Sequence, residues 1–150
     1  MSVAAKICGL SSEDAVAAAV EGGAAYLGFV FYPPSPRSVS PARAGALCAE
    51  VPASVRRVGL FVDADDAAIG RVLDAAPLDL LQFHGRESPE RVAALHQEDG
   101  LTILLVEQRV AEALESCDYG YVLETGRVAL EGTHRTLMAD DRVRRAYLGM

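Results

Sequence analysis

The stretch Tyr26-Leu27-Gly28-Phe29-Val30-Phe31, followed by Tyr32-Pro33-Pro34-Ser35-Pro36-Arg37-Ser38-Val39-Ser40-Pro41, decides how the chain is built. The first run is aromatic and β-branched enough to read as a strand. The prolines behind it forbid a helical loop, and Ser40-Pro41 supplies an N-cap and a first-turn proline for a helix reaching about Glu50. Strand, stiff loop and helix together make one βα unit.

The same rhythm extends in both directions. Upstream, Val3–Ile7 reads as a strand, and Ser11 or Ser12 precedes the acids Glu13-Asp14 at a helix start. Ala15, Ala18, Ala19 and Val20 carry that helix to Gly22-Gly23. Downstream come a strand at Val58–Val62, a helix from Asp63 or Asp65 to about Asp74, and a strand at Leu78–Phe83. A helix opened by Ser88-Pro89-Glu90 then runs to about Gln97, followed by a strand at Leu101–Val106 and helical spacing at Val110, Ala113 and Leu114. Strand starts near 3, 26, 58, 78 and 101 have the separations of βα units.

After residue 120 the rhythm changes. Tyr121-Val-Leu123, a turn at Glu124-Thr-Gly126 and Val128-Ala-Leu130 read as a β-hairpin, Gly132-Thr133 precede a short helix, and Asp140 caps a last Arg-rich one. The expected fold is α/β: a partial (β/α) barrel of four to five parallel βα units, then a β-hairpin and C-terminal helices. A junction between about His96 and Gly100 separates residues 1–98 from 99–150, with the second segment packed on the same core.

At 150 residues the chain is shorter than the roughly 200 of a complete eight-unit barrel. With 51% hydrophobic and 23% charged residues it is globular rather than disordered. The net charge of −7 is evenly spread, −4 in residues 1–98 (8 Lys/Arg, 12 Asp/Glu) and −3 beyond (6 and 9). No basic face exists for nucleic acid or anionic lipid. Cys8, Cys48 and Cys117 are odd in number and widely spaced, so neither a disulfide framework nor a CxxC metal motif is read, and no cofactor is expected. The stretch Met1–Gly9 does not read as a secretory leader and no run reaches 18 apolar residues, so a cytoplasmic protein without membrane partners is expected.

The strings Lys6-Ile7-Cys8-Gly9-Leu10, Leu27-Gly28-Phe29-Val30-Phe31-Tyr32-Pro33, Ser35-Pro36-Arg37-Ser38-Val39-Ser40-Pro41, Val58-Gly59-Leu60-Phe61-Val62 and Leu81-Gln82-Phe83-His84-Gly85 together resemble phosphoribosylanthranilate isomerases. The resemblance covers residues 1 to about 96, roughly the first four of that family's eight βα units. It implies an Amadori rearrangement in tryptophan biosynthesis, converting N-(5-phosphoribosyl)anthranilate to its aminoketose. A cysteine at the end of the first strand serves as general base, the position Cys8 holds. The family's general acid, an aspartate of the later half, and its phosphate loops after strands seven and eight are not matched. Residues 100–150 resemble instead the C-terminal end of the ATP-binding subunit of branched-chain amino-acid ABC transporters, through Gly100–Gln108, Tyr121–Val128, Leu130–Thr133 and Val143–Gly149. Gln108 stands where many such subunits carry a switch histidine. No GxxxxGK[ST] loop is present, which argues against ATP hydrolysis.

Each site residue has a plain and a functional reading. Cys8 is either a small buried hydrophobe or, at the C-terminal end of a strand where barrels mount their chemistry, a base whose thiolate cations or backbone N–H groups would favour. The resemblance favours the base. Arg37 is either a solvated loop cation or a fork for the substrate's anthranilate carboxylate. His84 is either satisfied by local backbone or supports substrate binding. Asp63, Asp65 and Asp66 read as an N-cap with two solvated helix-start carboxylates. Cys48 and Cys117 read as structural, and His96 and His134 as surface residues. Two functions follow: an isomerase for a phosphoribosyl substrate, incomplete in this chain, or a non-catalytic fusion without activity. Open sheet edges would in either case favour homo-oligomers.

Overall fold

The computed structural model describes residues 4–99, 102–105, 110, 113, 114 and 117–147. The chain divides into two compact units, Met1–Glu87 with Gly100–Leu104, and Ser88–Asp99 with Leu105–Met150. Residues 88–99 thus belong to the second of these units.

In the first unit, strands β1 (Lys6–Cys8), β2 (Tyr26–Phe31), β3 (Arg56–Phe61), β4 (Leu80–Phe83) and β5 (Thr102–Leu105) form one sheet in chain order. The pairs from β1 to β4 are parallel. Helices α1 (Glu13–Glu21), α2 (Pro41–Ala49) and α3 (Asp66–Ala75) cross between strands. Their starts follow local chemistry: the side chains of Ser12, Ser40 and Asp65 accept from the N–H groups of Ala15, Arg43 and Ala68. Strand β1 opens at Lys6, later than expected, with Ala4 and Ala5 outside it.

Register sorts the sheet's two faces. Cys8 pairs with Gly28, Gly28 with Val58 and Val58 with Leu80, so these residues share one face with Lys6, Val30, Leu60 and Gln82. The opposite face carries Leu27 and Phe29, which pack with Val16, Ala19, Ala44, Leu47 and Cys48 of the helices into a fully buried cluster. Further along that helix-covered face, Phe31, Phe61 and Phe83 form a row across three strands, with ring centroids 5.2 and 6.1 Å apart. Gly45 lets α2 approach the end of α3, because a Cβ there would overlap the Ala75 carbonyl.

In the second unit, α4 (Pro89–Asp99) buries Val92 and Leu95. Strands β6 (Tyr119–Glu124) and β7 (Arg127–Thr133) pair as an antiparallel hairpin with an irregularity between Val122 and Leu123. The turn is Thr125-Gly126, both at positive φ (51° and 76°), the twist that two-residue hairpins require. Thr133 caps α5 (His134–Ala139) and Asp140 accepts from the Arg142 N–H at the start of α6 (Asp141–Tyr147). Leu114, Val122, Leu137 and Val143 make this unit's core. The helix expected around Val110–Leu114 lies largely outside the described residues. His134, read as a surface residue, is instead half-buried, with its Nδ1 hydrogen-bonded to the Leu114 carbonyl.

Candidate active site

Cys8 ends β1, half-buried, and Gly9 follows at φ 84°, a left-handed turn that lifts the chain off the sheet. The N–H groups of Gly9 and Leu10 both donate to the Gly28 carbonyl, at 2.9 and 3.1 Å, so the turn is tied to the neighbouring strand. Gly28 is small for a reason. A Cβ there would stand 2.9 Å from Cys8 Sγ and 3.2 Å from Lys6 Nζ, so the thiol and the ammonium share the space that a side chain on β2 would take.

Arg37 reaches the same place from the loop after β2. Ser35 Oγ accepts from the Arg37 N–H and the Val39 N–H donates to the Val30 carbonyl, folding the proline-rich loop back along β2. The Arg37 side chain then lies across Gly9: a Cβ at Gly9 would meet its Cδ at 2.7 Å and its Nε at 3.2 Å. Two residues far apart in sequence, Cys8 and Arg37, are thus neighbours at the C-terminal end of the sheet. His84 sits at the same end, just beyond β4 and exposed, with its N–H donating to the Phe61 carbonyl. Among the described residues no hydrogen bond or ion pair joins it to Cys8 or Arg37.

The loops after β3 and β4 are clasped to each other, which the sequence did not disclose. Glu87 bridges two backbone donors, the N–H of Asp63 at 2.7 Å and of Gly85 at 2.8 Å. The Asp63 carboxylate accepts from the Arg86 N–H at 2.7 Å, and Asp63 itself adopts φ 50°. Asp65 is the N-cap and Asp66 lies in the first turn as read, but Asp63 is a loop clasp rather than a helix-start carboxylate. Its partners lie more than twenty residues downstream, so nothing local announces the role.

Gln82 is the other residue that sequence reasoning passed over. It is 9% exposed, on the Cys8 face of the sheet, and its Oε1 is buried without a hydrogen-bond partner among the described residues. Among the described residues no cluster of His, Cys, Asp and Glu is arranged to hold a metal ion, and no helix is long and apolar enough to cross a membrane.

Residues 5–123 match the family model for N-(5'phosphoribosyl)anthranilate (PRA) isomerase. The chain is 54% identical over 106 residues to the N-(5'-phosphoribosyl)anthranilate isomerase of Paramagnetospirillum magneticum, covering 71% of this chain and 49% of that protein. Among solved structures, the phosphoribosylanthranilate isomerase of Thermotoga maritima, described as monomers of a dimeric enzyme, superposes with a TM-score of 0.67 at 34% identity, over 76% of this chain and 60% of that one. A phosphoribosyl anthranilate isomerase in complex with reduced 1-(o-carboxyphenylamino)-1-deoxyribulose 5-phosphate gives a TM-score of 0.68 at 33% identity, over 76% and 60%. The chain spans about half the length of the curated relatives it matches. The match to residue 123 runs beyond the junction expected at 96–100 and into the segment read as transporter-like, and that reading finds no support.

Proposed function

The chain belongs to the N-(5'-phosphoribosyl)anthranilate isomerase family, and from that membership we propose that it carries the base and the carboxylate clamp of an Amadori isomerase acting on N-(5-phosphoribosyl)anthranilate. The observation that carries this reading is the Arg37 side chain laid across Gly9, one residue beyond Cys8. Ring opening of an aminoaldose breaks the C1–O bond: the nitrogen lone pair forms C=N and the ring oxygen takes up a proton. The Cys8 thiolate then removes the proton from C2, the C=N electrons return to nitrogen, and the enolamine tautomerises to the aminoketose. No atom is gained or lost overall. Arg37 presents a planar fork that matches the anthranilate carboxylate, holding C2 over the thiol, and His84 supports the substrate at the same rim. The reaction also needs an acid at the ring oxygen and a seat for the phosphate; to neither is a residue of this chain assigned. The setting we propose is cytoplasmic, in keeping with three free cysteines.

A second reading is a non-catalytic chain that retains the fold and the binding groups, since no described residue is assigned to the acid or to the phosphate seat. Complementation of a tryptophan auxotroph lacking the isomerase, with an assay of the purified chain, separates the two. Growth that depends on Cys8 supports the isomerase. Growth that survives Cys8→Ala removes Cys8 as the base, and no growth from soluble, folded protein selects the non-catalytic reading.

A further inference from the structure

Gln82 presents a buried acceptor that none of the described residues satisfies. Among the described residues its Oε1 has no hydrogen-bond partner, while the residue as a whole is nine-tenths buried. Its neighbours on that face within β2, β3 and β4 do not help: Leu60 lies opposite it on β3, Val30 one strand further, and Leu80 and Val58 one pleat back. All of these are apolar, so none of them can donate a hydrogen bond. Native interiors rarely leave a buried carbonyl unsatisfied, because doing so forfeits the hydrogen bond it would make with water. Where one persists, an absent partner is the natural cause.

The position of the group says what that partner is. Cys8 and Gln82 share one face of the sheet, three strands apart, and Gln82 lies one pleat closer to the C-terminal rim where the Arg37 loop and His84 emerge. Three strand spacings amount to about 14 Å along the sheet, a separation that a phosphorylated pentose joined to a benzoate can bridge. A lone acceptor oxygen admits only a donor. The carboxylate and phosphate of such a substrate are acceptors at neutral pH and are repelled by it, whereas sugar hydroxyls donate. We propose that the Gln82 side-chain carbonyl accepts a hydrogen bond from a sugar hydroxyl of the substrate whose carboxylate Arg37 holds, making Gln82 a specificity residue for the pentose. This assignment rests on the isomerase reading and adds the residue that recognises the sugar.

A group kept for a ligand at the expense of the empty protein has a signature that a structural glutamine lacks. Gln82→Met has nearly the same shape, loses the orphaned acceptor, and is expected to raise the ligand-free Tm by about 2–4 °C. It should also weaken binding of reduced 1-(o-carboxyphenylamino)-1-deoxyribulose 5-phosphate about tenfold in calorimetry with the full chain, leaving the affinity for N-methylanthranilate, which lacks the sugar, unchanged. Gln82→Glu keeps an acceptor at that position and should restore part of the lost affinity. A Gln82→Met chain that melts lower or fails to fold overturns the proposal, since the residue is then structural. So does a variant that binds the analogue as tightly as the parent, with the isomerase reading left standing. If the parent chain itself fails to bind the analogue, the isomerase reading falls and takes this assignment with it.

Discussion

Two thiols on the first unit are sorted by their surroundings. Cys48 lies inside the helix-covered core, and burial pushes its thiol up to about 11, only partly offset by the nearby Arg57 guanidinium. Cys8 lies on the other face, half-buried, in space it shares with Lys6 and next to the residue that Arg37 covers. Iodoacetamide at pH 8 should therefore modify Cys8 and spare Cys48, as read by peptide mass mapping. Equal labelling of both would show that the core is open or that Cys8 is shielded. Gly28 is the matching test of the space itself. Gly28→Ala places a methyl 2.9 Å from the Cys8 sulfur and 3.2 Å from the Lys6 nitrogen, and should cost about 1–3 kcal/mol of stability through overpacking. It should also slow alkylation of Cys8 relative to the parent. A variant that melts and labels like the parent would mean that β1 and β2 separate freely.

At the scale of elements, the strands are tied at their opposite ends by different chemistry. At the N-terminal end, Asp79 accepts from the Arg57 backbone N–H at 2.7 Å and from its Nε and Nη2 at 2.8 and 3.0 Å, joining β3 to the start of β4. The Arg57 guanidinium holds the Asp79 carboxyl below the usual carboxylate range, against a smaller opposing effect of burial. A carboxyl depressed in the folded state stabilises it above the unfolded-state value near 4, and that contribution is lost as pH falls through this value toward the folded one. Asp79→Asn should thus cost about 1–2 kcal/mol at pH 7, and the gap from the parent in denaturant midpoints should close below pH 4. A gap that persists unchanged at pH 3 would mean that shape, not charge, holds this end. The same element scale marks what could be read beforehand. Ser40-Pro41, Asp65 and the run Tyr26–Phe31 announce themselves because caps and buried strands are decided within a few residues. The start of β1 after two alanines, the Asp63–Glu87 clasp and the orphaned Gln82 carbonyl depend on which strand lies beside which. Arg37 is legible as a candidate only through the family's motif, since nothing within its proline-rich loop says that it crosses Gly9.

For the whole molecule, the edge of the sheet matters most. Among the described residues β1 has a partner on one side only, β2, and Ile7 in its middle is 43% exposed. An unpaired strand edge offers a row of free N–H and C=O groups to another chain, and natural edges are usually blunted by charge, proline or a bulge. Here Lys6 is the one charged residue of a three-residue strand, and its ammonium is turned onto Gly28 of β2. The net charge of −7 works the other way, by self-repulsion that weakens at high salt. Association through β1 should therefore deepen as salt rises. Light scattering is expected to give a mass above the 15.9 kDa of one chain, increasing between low and high ionic strength. Ile7→Lys, which adds a charge to the edge without touching the Cys8 face, should move the population toward the single-chain mass. A monodisperse species at 15.9 kDa under both salt conditions would show that the β1 edge is covered within the chain. A mass that ignores Ile7→Lys would move the contact away from β1, to the opposite sheet edge at β5 or to the exposed hairpin residues Tyr119, Tyr121 and Leu123.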